Sequence, residues 1–537
     1  MKLKIFLAAV LLGFWVNTVI GQTVEIDRNP LTISPGAEVG SKIRIKWKVF
    51  KETSVVVQVA DKNGKVLKTI DAGKMPPGIY SVIYDGKDAE GKILPAGNYT
   101  LRFVINPKVE PDISFGNAGM LGKITKIFTY QKDRVFSMGI KDIAVKTVTV
   151  KVDGETWERE EDFSLAGKNF VVDGPNGLIK LNPQADIPEN AEVEVSYCVG
   201  LPLENPWALE TAPDGSLYIV DNLRRLDLAM KNPKPRTGMV FKVDSSGNPV
   251  PDFGSAGVLE FSAEDIAVDR EGNIYLLSIH NHVEVYDGKG MKKMNVAGFL
   301  EPHRKGGYLN KDPNITGQPE GCYWPVGIGL NKDKRMVIIN LNQTFVLYDA
   351  TKPDFQGFIA LGFTHEPPVY CQGYGPCVAA WGDSFYQTTC RHNLIKYQFD
   401  PESKTFATVW QTPNKGASTP QKPSPPPNLW HAMGVKVDGT GLIYVANRNN
   451  NRVEVFFDAG NDYKYVTSLG SKGTDLSKCQ MMAPHALALS PDGKSLYVAD
   501  DGFFFKHLDE PVVKGLDRVI KMKLTADEFI EIPLTVK

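Results

Sequence analysis

The fold is decided by the stretch Tyr444–Val453, which reads YVANRNNNRV: an apolar strand, a polar turn and the start of another strand. The same phrase recurs along the C-terminal two-thirds of the chain, each time as an apolar strand, an Asp-Gly-like turn and a second strand, usually with a tyrosine at its centre. The tyrosines run from Tyr218 to Tyr497 in steps of about 56 residues, a period typical of propellers and solenoids.

A third strand follows each copy, and a weaker fourth strand usually comes next. Four short antiparallel strands, repeated six times, predict a six-bladed β-propeller over residues 201–537. Closing the blades into a ring protects the strand edges. The third strands are predicted at Met239–Val243, His282–Tyr286, Phe345–Tyr348, Leu394–Phe399, Arg452–Phe457 and Arg518–Lys523, and the last fourth strand at Phe529–Ile532.

Residues 22–108 and 109–200 predict two small β-sandwich domains ahead of the propeller, so the fold class is all-β. Short alternating strands such as Ser41–Val49 and Thr147–Val152 lie between turns. Asn63-Gly64 suits a tight hairpin because both residues tolerate positive φ. Neither segment contains a histidine, and no catalytic motif is evident in them.

The first 21 residues have the pattern of a signal peptide. Lys2 and Lys4 precede an apolar run from Ile5 to Val16, and small residues end the segment at Gly21. The run is too short for a comfortable membrane span, so no transmembrane anchor is expected. The formal net charge is −1, without a basic block that would indicate a nucleic-acid partner. The sequence therefore predicts a secreted or periplasmic protein.

Two resemblances follow from these residues. The repeats, above all Tyr444–Val453, resemble the NHL family of six-bladed propellers. The segment Tyr84–Thr100 resembles the immunoglobulin-like domain of flagellar hook-capping proteins, which implies a spacer or docking domain. Neither resemblance by itself implies a chemical activity, because propellers bind, scaffold or catalyse.

The chemistry-bearing residues concentrate on one face of the predicted ring, the top, where strand 1 of each blade begins. Long loops and all eight histidines map there. His431 and His485 each lie eight residues before a turn glycine, Gly439 and Gly493, which predicts matched positions at the channel mouth. They would hold a divalent metal such as zinc, with Glu264 or alternatively Cys377 as a further ligand. Alternatively, these histidines bond to strand backbone or to a channel water.

The phrase Ala483–Leu489 (APHALAL) is similar to a channel-histidine phrase of peptidylglycine amidating lyases. That resemblance implies a six-bladed propeller with zinc held by channel histidines. That family spaces its ligands around the ring, whereas His431 and His485 belong to neighbouring blades, so the lyase activity does not follow.

Two classes of function remain open. The first is a propeller that binds a protein, peptide or glycan on its top face, and the second is a metal-dependent lyase or hydrolase in which Glu264 or a loop histidine moves protons. Arginines suit a ligand carboxylate because guanidinium binds it bidentately. The predicted ligand-binding residues are Arg448, Arg391, Glu264, His280, His392 and Asp500.

The chain has six cysteines without a C-x-x-C pair, which excludes a zinc ribbon and a covalent c-type haem. In an exported protein, clustered cysteines favour disulfides. At least one disulfide is predicted on the top face, involving Cys371, Cys377 or Cys390.

Overall fold

The computed structural model describes most of the 537 residues. The described residues are 23–26, 29–35, 41–115, 121–139, 148–160, 167–173, 176–199, 203, 205–221, 238–254, 257–278, 283–296, 325–340, 344–363, 378–389, 392–413, 425–500 and 518–537. The chain divides into two compact units, of which the first contains the residues up to Pro107 with Lys464–Thr467 and Ala526–Lys537.

The first unit is an immunoglobulin-like sandwich. Its strands are β1 (Val24–Ile26), β2 (Leu31–Ile33), β3 (Ile43–Val49), β4 (Thr53–Ala60), β5 (Val66–Met75), β6 (Gly78–Tyr84), the first part of β7 (Gly97–Phe115) and the last part of β39 (Arg518–Val536). One sheet has the order β1-β3-β6, and the other includes β7-β4-β5. Alternating apolar side chains of both sheets, including Trp47, Val57 and Phe103, form one core.

The second unit opens with a curled seven-stranded sheet of order β8-β14-β10-β11-β12-β13-β9. Its core residues, Tyr197 among them, form one apolar cluster with Leu209, Leu217 and Ala486 of the propeller. The strands are β8 (Leu121–Thr129), β9 (Val135–Ser137), β10 (Thr149–Val152), β11 (Glu155–Glu160), β12 (Asn169–Asp173), β13 (Leu178–Leu181) and β14 (Glu192–Val199).

The rest of the second unit is a six-bladed β-propeller, and its blades are four-stranded antiparallel sheets. Blade one has β15 (Pro206–Thr211), β16 (Leu217–Asp221), β17 (Met239–Val243) and β18 (Val258–Glu260); blade two has β19 (Ala263–Val268), β20 (Ile274–Ser278), β21 (Val283–Tyr286) and β22 (Lys292–Asn295); blade three has β23 (Pro325–Leu330), β24 (Arg335–Asn340), β25 (Thr344–Asp349) and β26 (Phe358–Phe363). Blade four has β27 (Val378–Trp381), β28 (Ser384–Thr388), β29 (Leu394–Asp400) and β30 (Thr405–Gln411); blade five has β31 (Ala432–Val437), β32 (Leu442–Asn447), β33 (Arg452–Asp458) and β34 (Tyr463–Leu469); blade six has β37 (Pro484–Leu489), β38 (Ser495–Asp500), β39 and β7.

Short elements connect some of these strands. They are β35 (Ser471–Lys472), β36 (Gln480–Met481) and the 3₁₀ turns Asp354–Gly357, Arg448–Asn450 and Leu476–Lys478. No helix in the described part of the chain is long and apolar enough to span a membrane.

The innermost strands pack side by side in a closed ring, in the order β15, β19, β23, β27, β31, β37 and back to β15. The six-bladed propeller predicted from the repeats is therefore confirmed. Blades five and six approach so closely that a Cβ on Gly434 would lie 2.6 Å from the carbonyl oxygen of His485. Only glycine fits there without movement of the neighbouring backbone.

Blade six closes with a strand from the N-terminal side of the chain. Its sheet continues from β39 to β7, and Asp112 of β7 contacts Lys521 at 3.2 Å and Lys523 at 3.9 Å. The fourth strand predicted at Phe529–Ile532 is wrong, because Ile530 and Ile532 pack into the core of the first unit. An alternating apolar pattern suits either location, since both offer a half-buried sheet position.

Candidate functional site

The channel mouth is formed where the innermost strands begin. In five blades the pairing of strands one and two skips a residue near the start of strand one, which is a β-bulge. The residue after the first pair is skipped in four of these blades, as Trp207, Glu264, Val326 and His485, whereas in blade five Met433 and Gly434 lie opposite Ala446 alone. Among these, Trp207, Glu264 and His485 are buried. The bulges thus place Trp207, Glu264 and His485 in equivalent positions of blades one, two and six.

The matched register predicted for His431 and His485 is wrong. The first paired residue is Ala432 in β31 and Pro484 in β37, and each lies opposite the last residue of its blade's second strand. His485 directly follows the first paired residue of its strand, Pro484, whereas His431 directly precedes the first paired residue of its strand, Ala432. Relative to the strand pairing, the positions of the two histidines therefore differ by two residues. His431 belongs to the entering loop and not to the ring of bulge residues.

The turns explain this shift. The glycine with a left-handed backbone in the blade-five turn is Gly441, with φ +108°, and the equivalent residue in blade six is Gly493, with φ +68°. Asp438-Gly439 has the expected turn composition, but Gly439 lies two residues before the glycine with the left-handed backbone. The hydrogen bond from Gly441 N–H to the Asp438 carbonyl closes this turn, in the same way as the bond from Gly493 N–H to the Ser490 carbonyl closes the blade-six turn.

His485 is 1% exposed and lies between two partners. Its Nδ1 is 3.1 Å from Nη1 of Arg448, and its ring centroid is 4.3 Å from that of Trp207 in the neighbouring blade. Arginine only donates, so Nδ1 accepts and the imidazole is neutral with its proton on Nε2. The arginine therefore selects the tautomer of His485.

Arg448 lies in the 3₁₀ turn Arg448–Asn450, directly after β32, and is 6% exposed. The turn follows Asn447, whose Oδ1 accepts from Trp430 N–H at 2.8 Å and whose Nδ2 donates to the Asn428 carbonyl at 2.9 Å. These bonds tie the end of β32 to the proline-rich loop that enters blade five. The described part of this loop is thus anchored to the residue that precedes Arg448.

His431 and His392 form the outer half of the site. The backbone N–H of His431 donates to Nδ1 of His392 at 2.8 Å, so the proton of neutral His392 is on Nε2. Both residues have positive φ, +54° and +68°, a backbone region in which histidine is tolerated better than bulkier residues. Burial, together with the charge of Arg448 and the proximity of His392, lowers the pKa of His431 to about 3. Burial also lowers the pKa of His392.

We call His392, His431, Arg448 and His485 the mouth cluster. At neutral pH it contains one permanent cation and three neutral imidazoles. An imidazole with a pKa near 3 is a weak base, so His431 is poorly suited to proton abstraction near pH 7. Guanidinium and imidazole N–H donors together suit the recognition of an anionic oxygen group.

The metal hypothesis loses its geometric basis at these residues. Among the described residues no group of three His, Cys, Asp or Glu side chains could hold a metal ion. The Arg448 guanidinium occupies Nδ1 of His485, and its positive charge opposes a cation at that imidazole. The zinc site predicted at His431 and His485 therefore stays a prediction without support from their contacts.

The other predicted ligand-binding residues differ in their placement. Asp500 is fully buried: its Oδ1 accepts from the backbone N–H groups of Met482 and Ala483, and its Oδ2 accepts from Arg518. Protein donors contact both oxygens of this carboxylate, and its predicted role in ligand binding stays a prediction. Glu264 is buried at the bulge of β19.

Several predictions fall outside the described residues. They concern Arg391, His280, and the cysteines Cys371, Cys377 and Cys390 proposed for a disulfide. Cys479 is described, and it is a buried free thiol.

A second polar cluster, formed by residues of three different blades, was not predicted from the sequence. Lys436 of blade five donates to Glu210 of blade one at 2.6 Å, and the charge of buried Asp265 in blade two acts on Lys436. Burial raises the pKa of Asp265 to about 7, partly offset by Lys436. We call these three residues the bore cluster. A signal was present, since Glu210 and Lys436 each lie eight residues before the tyrosine of their own blade.

Asp265 also connects two blades. Its Oδ1 accepts from Ile266 N–H at 2.8 Å, and its Oδ2 accepts from Ile328 N–H of blade three at 2.9 Å. A carboxylate that accepts two backbone bonds in the ring is a structural link as well as a charge.

Comparison with known proteins supports the immunoglobulin-like fold of the first domain. A family model for the FlgD Ig-like domain matches residues 39–105, which confirms the predicted resemblance. The basal-body rod modification protein FlgD of Salmonella typhimurium is 26% identical over 92 residues, which is 16% of this chain and 38% of that protein. The match therefore spans well under half of the flagellar protein.

Several solved propeller structures align with this chain over most of their own length, but their sequence identities and TM-scores are low. A streptogramin B lyase is 13% identical, covers 61% of this chain and 96% of its own, and has a TM-score of 0.35. The periplasmic gluconolactonase PpgL of Pseudomonas aeruginosa is 13% identical, covers 72% and 98%, and has a TM-score of 0.35. The WD40 repeats of RRP9 are 9% identical, cover 61% and 96%, and have a TM-score of 0.36. At this level of similarity nothing about ligand or activity is transferable, and the NHL resemblance stays a prediction.

Proposed function

We propose that this chain is a secreted binding protein, and that the mouth cluster of its propeller takes an acidic group of a protein, peptide or glycan. The observation that carries the proposal is the convergence of Arg448 with His392, His431 and His485 at the top end of the channel. Secretion rests on the leader-like N-terminus alone.

The chemistry of the cluster favours an anion. Arg448 contributes a permanent positive charge in a largely dehydrated position, where electrostatic attraction is stronger than in water. His392 and His485 each use Nδ1 as an acceptor, so the proton of each neutral ring is on Nε2. A carboxylate of an acidic side chain or of a uronic acid matches this set of donors.

The alternative, a metal-dependent lyase or hydrolase, has weaker support. His431 is a weak base, and His485 is bonded to a cation. Elemental analysis of the purified protein separates the two functions. A bound transition metal in stoichiometric amount, lost in a His431→Ala, His485→Ala variant, would favour the enzyme.

The binding proposal is tested with two acidic probes, oligoglutamate and oligogalacturonate, in calorimetric titrations of the full chain. Arg448→Gln is expected to weaken binding at least tenfold. The matched control is Arg335→Gln, which removes an arginine paired with Asp383 at a partly exposed site and is expected to change binding less than twofold.

A second variant guards against misfolding of Arg448→Gln. His431→Asn retains a residue that tolerates positive φ, and it is expected to weaken binding while the thermal midpoint stays close to that of the wild type. Equal affinity of all variants for both probes, or no binding of either probe by the wild type, would overturn the proposal.

A further inference from the structure

The outer face of the β1-β3-β6 sheet in the first unit combines exposed isoleucines with basic residues. Strand β6 is at the edge of this sheet, and among the described strands only β3 pairs with it. In the register of the pair, Lys48 lies opposite Ile79, Lys46 opposite Ser81 and Arg44 opposite Ile83. Opposite residues in a sheet share a face, so these six side chains lie on one side.

That side faces away from the core. The intervening residues of β3, Ile45, Trp47 and Val49, are buried in the sandwich. On the outer side Ile79 is 74% exposed and Ile83 is 55% exposed. An exposed edge strand is normally protected by charged residues or proline, because its free backbone groups can pair with another chain. Here the edge strand presents isoleucine instead.

The charge of this face is one-sided. Arg44 and Lys46 are exposed, and Lys48 has its Nζ 4.6 Å from the ring centroid of Phe50, which is also exposed. Glu25 of β1 lies opposite Lys48, so the described residues of β1, β3 and β6 on this face have three positive charges against one negative.

We propose that β6 accepts an added strand from a partner polypeptide whose side chains on this face alternate as apolar, acidic, apolar. An added strand runs about 4.8 Å from β6, which brings its side chains opposite Ile79, Ser81 and Ile83. The two apolar side chains pack on the isoleucines. The acidic side chain lies opposite Ser81, the smallest residue of the three, and reaches over it towards Lys46 in the next strand.

This inference is independent of the proposed function, since it concerns another domain and another ligand chemistry. The backbone of the partner supplies ladder hydrogen bonds, and its side chains supply specificity, as in other cases of strand addition. The occupant is an acidic extended segment, because the basic residues would repel a basic one and would gain nothing from a neutral one.

The test uses two 11-residue peptides that have threonine at every second position. At the remaining positions, whose side chains share one face of the strand, the first peptide alternates valine with glutamate and the second alternates valine with lysine. Binding to the full chain is measured by fluorescence anisotropy, and protection of amide hydrogens in residues 78–84 is measured by hydrogen exchange. The valine–glutamate peptide is expected to bind and to protect β6, and the valine–lysine peptide is expected to bind at least tenfold more weakly.

The variants provide the decisive contrast. Lys46→Glu is expected to reverse the preference between the two peptides, and Ile83→Thr to weaken the acidic peptide at least fivefold. Ile127→Thr, which changes an exposed isoleucine on β8, serves as the control and is expected to leave binding unchanged. Equal binding of both peptides, no binding, or no effect of Lys46→Glu would overturn the proposal. Self-association of the chain that is abolished by Ile79→Lys would also overturn it, because the occupant would then be a second copy.

Discussion

Asp500 and Arg518 form an ion pair inside blade six, with Oδ2 of the aspartate 2.8 Å from Nη2 and 3.0 Å from Nε of the arginine. The two residues lie opposite each other on β38 and β39. The same carboxylate holds the loop that enters β37 through two backbone N–H bonds. Burial raises the pKa of Asp500, against the opposing effect of these donors.

We predict that Asp500→Asn destabilises the propeller by about 3–5 kcal/mol, because it leaves the buried guanidinium of Arg518 without a counter-charge. The measurement is the urea unfolding midpoint, followed by a probe in the propeller. Asp383→Asn is the control: it removes a partner of Arg335 in a more exposed pair, and its cost is expected to stay below about 1 kcal/mol. Similar effects of both substitutions would contradict the structural role of Asp500.

Gly434 offers a test of the ring. A Cβ there would meet the carbonyl oxygen of His485 at 2.6 Å and Cα of Ala486 at 3.0 Å, both backbone atoms of the neighbouring blade. Gly434→Ala is therefore expected to cost about 1–3 kcal/mol through overpacking. Gly439→Ala is the matched control, since nothing lies within 4 Å of its Cβ and its φ is not in the left-handed region. Calorimetric melting of both variants decides the prediction, which fails if Gly434→Ala melts with the wild type.

The bore cluster can be tested with a double-mutant cycle. Lys436→Met leaves Glu210 and Asp265 close together without their cation, and we expect a loss of about 1–3 kcal/mol. Adding Glu210→Gln should recover part of that loss, because it removes one of the two carboxylates. The free energy of unfolding of the wild type, both single variants and the double variant gives the coupling. Additive losses would mean that the two residues do not interact.

We predict that the free energy of unfolding decreases at acid pH because of His431. Its pKa in the folded protein is about 3, below the ordinary value of 6.5. Between these two pH values the unfolded chain binds more protons than the folded chain, so stability falls as the pH drops from 6.5 towards 3. One pKa unit corresponds to about 1.4 kcal/mol, so the loss is on the order of a few kcal/mol.

The matching measurement compares urea midpoints of the wild type and His431→Asn from pH 7 to pH 4. Asparagine does not titrate and tolerates the positive φ, so the variant is expected to lose less stability on acidification. Parallel pH profiles would mean that His431 is solvated and titrates normally.

The sequence by itself determined the architecture of the propeller. Strand alternation, turn residues and the tyrosine repeat are local properties, recorded within each blade of about 56 residues, and six copies leave little choice other than a closed ring. The third strands could be predicted because their patterns are local as well. The FlgD-like domain could be predicted because its characteristic turn residues lie together in one segment, Tyr84–Thr100.

Only the tertiary structure decided the site. The contact of Arg448 with His485 and that of Glu210 with Lys436 join different blades, and the second spans 226 positions of the chain. The repeat predicts the order of the blades, but which side chains meet across the ring depends on the three-dimensional placement of strands that lie far apart in the chain. The position of His431 depended on one turn: a slip of register at a bulge moves a side chain to a different place, and composition alone did not distinguish Gly439 from Gly441.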